Sequence, residues 1–443
     1  MTPFRNAFQF LLLVALSCFL TFFEIFYGTI SGQLRIVTRE TTSHLSVTTV
    51  KYAESNVNQA SLNRNDTSPI QRMVNRASNN AALAAAGIQP APKGFLATSL
   101  SPKFSTINTT FPLWESMSSL PSWMNTYFSW HQDQLLTLNA TNWQSRRYLI
   151  ARCLNTDQPC GGASDRLKSI PLLIRFASQQ ERLLFVHWER PAPLENFLLP
   201  PGGGFNWSLP LWLKPKLNFS SSGYVQHHSN VAQRIVPYLK NTLHQMMVDV
   251  RFQDAGGGAN IYDAMLQPGE PSFVEIYRSV WSIAFRPSAP VQALIRHHMT
   301  DLDLQSGEYS GVHIRYRYPK ARDMNLKSLT ENAVRCANQL YPNAPVYITS
   351  DTPDAINIAK QIGNTSLANR VRSRKGSLTR MPQHLDYSRS REPSEFYDVF
   401  VDLYLLAESR CVAYNVGGFG RWGRDLSYNQ SCSVRHDEVA CLL

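Results

Sequence analysis

The 443-residue sequence contains no G-x-x-x-x-G-K-[ST] loop, so phosphoryl transfer of the Walker type has no anchor in it. None of its seven cysteines forms a Cys-x-x-Cys pair, which removes the common zinc spacing. No polybasic run appears, although 43 Lys plus Arg against 32 Asp plus Glu leave a net charge of +11 and an isoelectric point near 9.3. Scattered cations suit acidic lipid or a phosphorylated small substrate and argue against a nucleic-acid protein. There is no internal repeat. Between Ser31 and Ala97 aromatic residues are almost absent, and "NRASNNAALAAAGIQPAPKG" cannot bury a core, so this part reads as a disordered stalk.

What is present begins with an apolar run. From Phe8 to Ile30 only Gln9, Ser17, Thr21, Glu24, Gly28 and Thr29 interrupt it, and it is long enough to span a bilayer. No Ala-x-Ala site comes after it, and Thr29-Ile30-Ser31 is a weak substitute. The expectation is an uncleaved signal anchor, with a cleaved signal peptide as the alternative. Beyond Cys18 the cysteines form an even set: Cys153, Cys160, Cys336, Cys411, Cys432 and Cys441. Seven Asn-x-Ser/Thr sequons start at Asn65, Asn108, Asn139, Asn206, Asn218, Asn364 and Asn429. Together these point to a lumenal, disulfide-permissive compartment. Short loops favour the pairs Cys153–Cys160 and Cys432–Cys441, leaving Cys336 to Cys411.

The organisation expected is a cytosolic tip and anchor over 1–31, a stalk over 32–103, a first globular domain over 104–305 and a second over 306–443. In the first, "PCGGASDRLKSIPLLIRF" reads as a glycine turn with Ser164 or Asp165 capping a helix, and "RLLFVHW" as a buried strand. That is either a nucleotide-fold unit or an ordinary αβ unit. From about Gly223 to Leu304 the chain reads mostly helical, broken at Pro287 and Pro290. Asp301-Leu302-Asp303 reads as a solvated helix end and not a metal-holding D-x-D, and His297 and His298 as surface or core residues.

After Ser310 strands and helices alternate. "SGVHIRYRY", "PVYITSD", "NRVRS" and "CVAYNV" are strands. "SLTENAVRCANQLY" is a helix with a Ser328–Glu331 capping box, "TPDAINIAKQIG" one capped at Thr352, and "FYDVFVDLYLLAES" a third. This is a parallel α/β domain, whose ligands bind beyond the carboxyl ends of the strands. His313, Arg315 and Arg317 share one face of the first strand, opposite Val312, Ile314 and Tyr316. Such a face is either a solvated edge or a strand end aimed at an anion. Arg315 and Arg317, Asp351, and Gly417, Gly418 and Gly420 stand at three strand ends and converge on one crevice. Guanidinium groups, a carboxylate and a glycine turn at a helix N-terminus suit a nucleotide diphosphate.

Four blocks, from about Cys153 to Asn429, resemble the superfamily of fucosyltransferases that use GDP-fucose, the α1,2-, α1,6- and protein O-fucosyltransferases. "GVHIR" is similar to its G-V-H-x-R strand, and "VYITSDTPDAINIAK" to its strand, Thr/Ser-Asp and Pro-led helix. "DLYLLAESRCVAYNVGGFGRWG" is similar to its helix, strand and small-residue turn, and "GGASDRLKSI" with "RLLFVHWERP" to its N-terminal Gly-x-x-Asp-Arg-Leu block. The resemblance implies a GT-B-like α/β fold, two Rossmann-like domains facing a cleft, here preceded by a transmembrane anchor and stalk. It implies a single-pass type II Golgi membrane enzyme with its catalytic region lumenal, transferring fucose from GDP-fucose to a glycan or glycoprotein. No metal and no cofactor beyond that donor are implied. The alternatives are a non-catalytic GDP- or glycan-binding homologue and a transferase using another GDP-sugar.

Carried over position by position, the resemblance implies that His313 binds guanine or positions the strand end. Arg315 holds the β-phosphate, and Asp351 accepts from guanine N–H groups. Gly417, Gly418 and Phe419 lie near the phosphates or sugar, while Gly162 and Asp165 border the cleft from the other domain. The α1,2 and α1,6 branches carry two adjacent arginines; here Tyr316 takes the second place and Arg317 comes one place later. For the general base that the acceptor hydroxyl needs, the carboxylates considered are Asp323 and Glu195, with Glu331 assigned to its cap.

Overall fold

A computed structural model describes residues 112–157, 160–217, 246–251, 258–317, 323–363, 365–375, 384–386 and 392–442. The anchor, the stalk, Cys18 and the sequons at Asn65, Asn108, Asn218 and Asn364 lie outside the described residues. Everything described belongs to the unit Asn75–Leu443, and among the described residues no helix is long and apolar enough to cross a membrane.

The first helix, α1 (Ser122–Thr137), buries Met124, Tyr127, Phe128 and His131, one stripe at helical spacing. It docks through Tyr127 Oη, which donates to the Arg182 carbonyl, and His131 Nε2, 3.1 Å from the Leu184 carbonyl. Strand β1 (Tyr148–Cys153) leads through α2 (Ala163–Leu167) and α3 (Ile170–Gln179) into β2 (Leu183–Trp188), which is parallel to it. Both strands are apolar at almost every position because both faces are covered. Leu149 and Ala151 face one core, and Tyr148 and Ile150 face another that Leu213 and Leu217 close.

A two-residue β3 (Leu198–Leu199) precedes β4 (Met247–Arg251), the third parallel strand, giving the order β2-β1-β4. The described part of the stretch from Gly223 to Leu304 is mostly helical as expected, but the strand β4 within it was not foreseen. "MVDVR" alternates with period two: Val248 and Val250 join the core, while buried Asp249 pairs with Arg152 of β1. The helices α4 (Gly258–Ala264), α5 (Phe273–Ala284) and α6 (Ala289–Asp301) come next, with β5 (Arg286–Pro287) pairing with β3 between the last two. Asp301 ends α6 as an exposed group 3.3 Å from Lys375.

The second half is a parallel α/β sheet. It runs β6 (Ser310–Ile314), α7 (Leu326–Leu340), β7 (Val346–Ser350), α8 (Pro353–Lys360), β8 (Val371–Arg372), α9 (Tyr397–Ala407), β9 (Cys411–Tyr414), α10 (Gly418–Leu426), β10 (Ser433–His436) and β11 (Cys441–Leu442). The spatial order is β11-β10-β9-β6-β7-β8, with only β11 antiparallel. Strand β6 is central and buried at all five positions, so the solvated-edge reading of its basic face is wrong. Helix α7 is capped by Asn325, whose Oδ1 accepts from Ser328 N–H at 3.1 Å, so the Ser328–Glu331 box is also corrected. One apolar cluster runs through both halves, as where Phe197 stacks on Phe400 with ring centroids 4.7 Å apart. This mixed α/β arrangement with parallel sheets is consistent with the GT-B-like expectation.

The disulfides are Cys153–Cys160, Cys336–Cys441 and Cys411–Cys432. The first matches the expectation, and the other four cysteines exchange partners. Strand register overrides chain proximity: Ser433 lies beside Val412 in the parallel ladder, and Val412 N–H donates to the Cys432 carbonyl, which puts Cys432 against Cys411. Strand β11 then turns back along β10 and brings Cys441 to α7. Peptide mapping without reduction is expected to recover these three pairs, and a Cys432–Cys441 peptide would contradict the sheet order.

Candidate active site

Strand β6 stops at Ile314, and its two neighbouring strands hold the next three residues. Arg315 N–H donates to Asn415 Oδ1 at 2.8 Å, and Asn415 Nδ2 donates back to the Arg315 carbonyl at 3.0 Å. On the other side Asp351 accepts from Tyr316 N–H at 2.8 Å and Arg317 N–H at 3.0 Å, one bond to each oxygen. Arg315 Nε lies 3.3 Å from Asp351 Oδ2, and the arginine side chain is 33% exposed. Asp351 therefore clamps the turn that carries Arg315. Oδ2 thus faces both Arg317 N–H and the Arg315 guanidinium, while Oδ1 keeps a second lone pair for a ligand.

His313 is not at the surface. It is buried under the α10 turn with its ring 5.3 Å from Phe419, and its Nδ1 has no hydrogen-bond partner among the described residues. Burial pushes the imidazole down to about 3, and the positive Arg315 adds to this, so it is neutral at ordinary pH. Arg317 is exposed, while Tyr316 packs on the apolar cluster of α7 and β7.

The glycine turn is set by close approach. Gly417 has φ of +97°, and a Cβ there would lie 3.4 Å from Arg315 Cγ, so the arginine stem lies along the turn. A Cβ on Gly418 would stand 2.5 Å from Ser164 Oγ and 3.3 Å from Asp165 Oδ1. The start of α10 thus touches the start of α2, and the two sheets' glycine turns meet. Gly420 has no room either, since a Cβ would meet His313 Nδ1 at 2.7 Å and Tyr414 Cβ at 2.8 Å. Gly420→Ala is expected to lose about 1–3 kcal/mol, because overpacking outweighs the ~1 kcal/mol helix preference of alanine. A urea midpoint equal to that of the parent would show that this contact is slack.

Across the seam, exposed Asp165 accepts from Gly162 N–H at 3.0 Å through Oδ2. Arg315, Gly417, Gly418, Gly162 and Asp165 are therefore brought together. The contacts of the described residues link neither Asp323, exposed before α7, nor Glu195 to Arg315. Glu195 sits near Lys214, and burial raises its carboxyl. Among the described residues no group of three or more His, Cys, Asp or Glu side chains is placed to hold a metal ion.

Three participants escaped sequence reading. Arg166 lies next to Asp165 but is fully buried, its Nη2 donating to Asp386 Oδ1 at 2.8 Å. His384, beside Asp386 in the polar loop, has Nε2 3.9 Å from the Cβ position of Gly162. Only the unusual Asp-Arg pair after the double glycine could have pointed to Arg166, and nothing in "PQHLDY" marks its partner.

No protein-family model and none of the curated proteins matches the sequence. Among solved structures the chain is similar to a variant of Arabidopsis thaliana FUT1 in complex with GDP, at 12% identity, over 71% of this chain and 78% of that one, with a TM-score of 0.46. It is also similar to the fucosyltransferase NodZ from Bradyrhizobium, at 14% identity over 67% and 98% with a TM-score of 0.43, and to POFUT1 in complex with GDP, at 13% over 63% and 95% with a TM-score of 0.32.

Proposed function

We propose that this chain is a glycosyltransferase that moves fucose from GDP-fucose to a hydroxyl of a glycan or glycoprotein, without a metal. One observation carries the reading. A guanidinium at the end of a central strand lies along a glycine turn, opposite a solvent-facing carboxylate of the other half. As the bond from the sugar carbon to phosphate oxygen breaks, its electrons leave with GDP. Arg315 and the first N–H groups of α10 are preorganised against that charge. The acceptor oxygen bonds to the same carbon, and its proton needs a carboxylate. Asp165 fits that role better than Asp323 or Glu195 because it borders the same turn.

We place the chain in the Golgi membrane as a single-pass type II protein anchored through 8–30, with the catalytic region lumenal. Three disulfides among the described residues support an oxidising compartment. Glycosidase treatment is expected to lower the mass of the secretory product, and an unmodified product with all cysteines reduced would sink the placement.

The test of activity is GDP release by the purified chain from GDP-fucose and from GDP-mannose, with and without mixed glycan acceptors. Fucose-selective, acceptor-stimulated release is expected, and no release from either donor would overturn the reading. Tyr316 favours a second reading. Its side chain packs on the apolar cluster of α7 and β7 and brings no second cation to the strand end, which would suit GDP binding without transfer. Binding of GDP with no turnover would select it.

A further inference from the structure

Arg166 is a charged side chain with no exposure, and each of its three guanidinium nitrogens donates to a named partner. Its Nε donates to the Gly161 carbonyl at 2.9 Å and its Nη1 to the Arg190 carbonyl at 2.6 Å, and its guanidinium lies 4.3 Å from the Trp188 ring centre. Burial lowers it to about 10, so the charge persists at neutral pH. The remaining nitrogen holds Asp386, 220 positions away in sequence and 1% exposed, which also accepts from Cys160 N–H at 3.1 Å. Between them and His384, Leu385 is buried in the main core. A pair of charges taken out of water is a poor way to gain stability alone. What this one does geometrically is pin residues 384–386 onto the Gly161–Gly162 turn.

That pin presents His384 to the seam. Asp386 N–H donates to His384 Nδ1 at 3.2 Å, so the proton of the neutral ring sits on Nε2. Nε2 is the atom that faces Gly162, on the same turn that holds Asp165. Burial lowers the imidazole from its ordinary value; Asp386 opposes this, and the positive Arg315 and Arg166 reinforce it. A neutral imidazole with its N–H directed at this turn cannot take a proton from an acceptor hydroxyl. It can donate to an anionic oxygen held beside Arg315.

We propose that His384 donates a hydrogen bond to the terminal phosphate of the nucleotide diphosphate and that the buried Arg166–Asp386 pair positions it there. This rests on the reading of the seam as a GDP-sugar site. The test is calorimetric affinity of the full-length protein for GDP and for GMP, which lacks that phosphate. His384→Ala is expected to weaken GDP by about 10-fold or more while GMP stays within about twofold. His384→Gln, which keeps an N–H donor, recovers part of the loss. Asp386→Asn reproduces the GDP-selective loss, and the double variant His384→Ala/Asp386→Asn loses no more than His384→Ala. Unchanged GDP affinity in His384→Ala, or equal losses for GDP and GMP, would overturn the assignment. If the parent binds GDP and His384→Ala binds it equally well, only this inference fails; if the parent binds no GDP, the site reading fails with it.

Discussion

Arg315→Ala is expected to lower transfer from GDP-fucose by about 100-fold or more, with the fold retained. The magnitude is that of removing one preorganised charged donor from a leaving group, about 3 kcal/mol in barrier terms. Retention of the fold rests on how the turn is held. The bonds from Asn415 and Asp351 go to backbone groups of Arg315, Tyr316 and Arg317, and none of those is lost in alanine. The pair with Asp351 that is lost is one-third exposed on the arginine side and contributes little. Arg315→Lys keeps the charge but not the planar fork, so it should remain well below the parent. Arg317→Ala should cost less, because that side chain is exposed beyond the clamp. Near-normal turnover by folded Arg315→Ala would reduce Arg315 to a solvated residue at a strand end and remove the basis of the proposed chemistry.

The reason Arg315 was legible in the sequence is the same reason others were not. Alternation in "SGVHIRYRY" and the glycines after "CVAYNV" are local patterns, and local patterns survive reading one residue at a time. Whether β6 lay at an edge or in the centre depended on neighbours more than 30 positions away, and the sheet order decides it. The cysteines failed for that reason. Short loops favoured Cys432 with Cys441, but the β9–β10 register places Cys432 beside Cys411. Strand β4 was missed because five residues offer too short a pattern, and its central Asp249 is rational only once Arg152 is seen on the adjacent strand. The cap of α7 was misplaced at Ser328, because only backbone geometry shows that the helix starts three residues earlier under Asn325. The Arg166–Asp386 pair was the least legible of all, since neither partner sits in a pattern that names the other.

The largest stability effect is expected from Asp402→Ala, about 3–5 kcal/mol, read as a fall in the urea midpoint at unchanged slope. Asp402 is buried on α9 and accepts four bonds: from Tyr347 Oη at 2.6 Å and Thr349 Oγ1 at 2.9 Å on β7, and from Arg374 Nε and Nη2 at 2.5 and 3.0 Å. Arg374 also reaches Asp398 at 2.8 Å. Burial alone would raise the Asp402 carboxyl, but Arg374 and the hydroxyl donors outweigh it and hold it below the usual range. A depressed carboxylate stabilises the fold above its unfolded value of about 3.9, and that share is lost as pH falls through the lower folded value. Removing the carboxylate leaves the buried Arg374 with Asp398 alone and two hydroxyls unpaired, which is where the cost arises. Replacing both charges, as in Asp402→Leu with Arg374→Met, should recover much of the loss. The consequence reaches the site, because Tyr347 and Thr349 lie on one face of β7, the strand that ends just before Asp351. A loosened β7 would loosen the clamp on Arg315. If Asp402→Ala shifts the midpoint by less than the equivalent of about 1 kcal/mol, the network is not what holds α9 to the sheet.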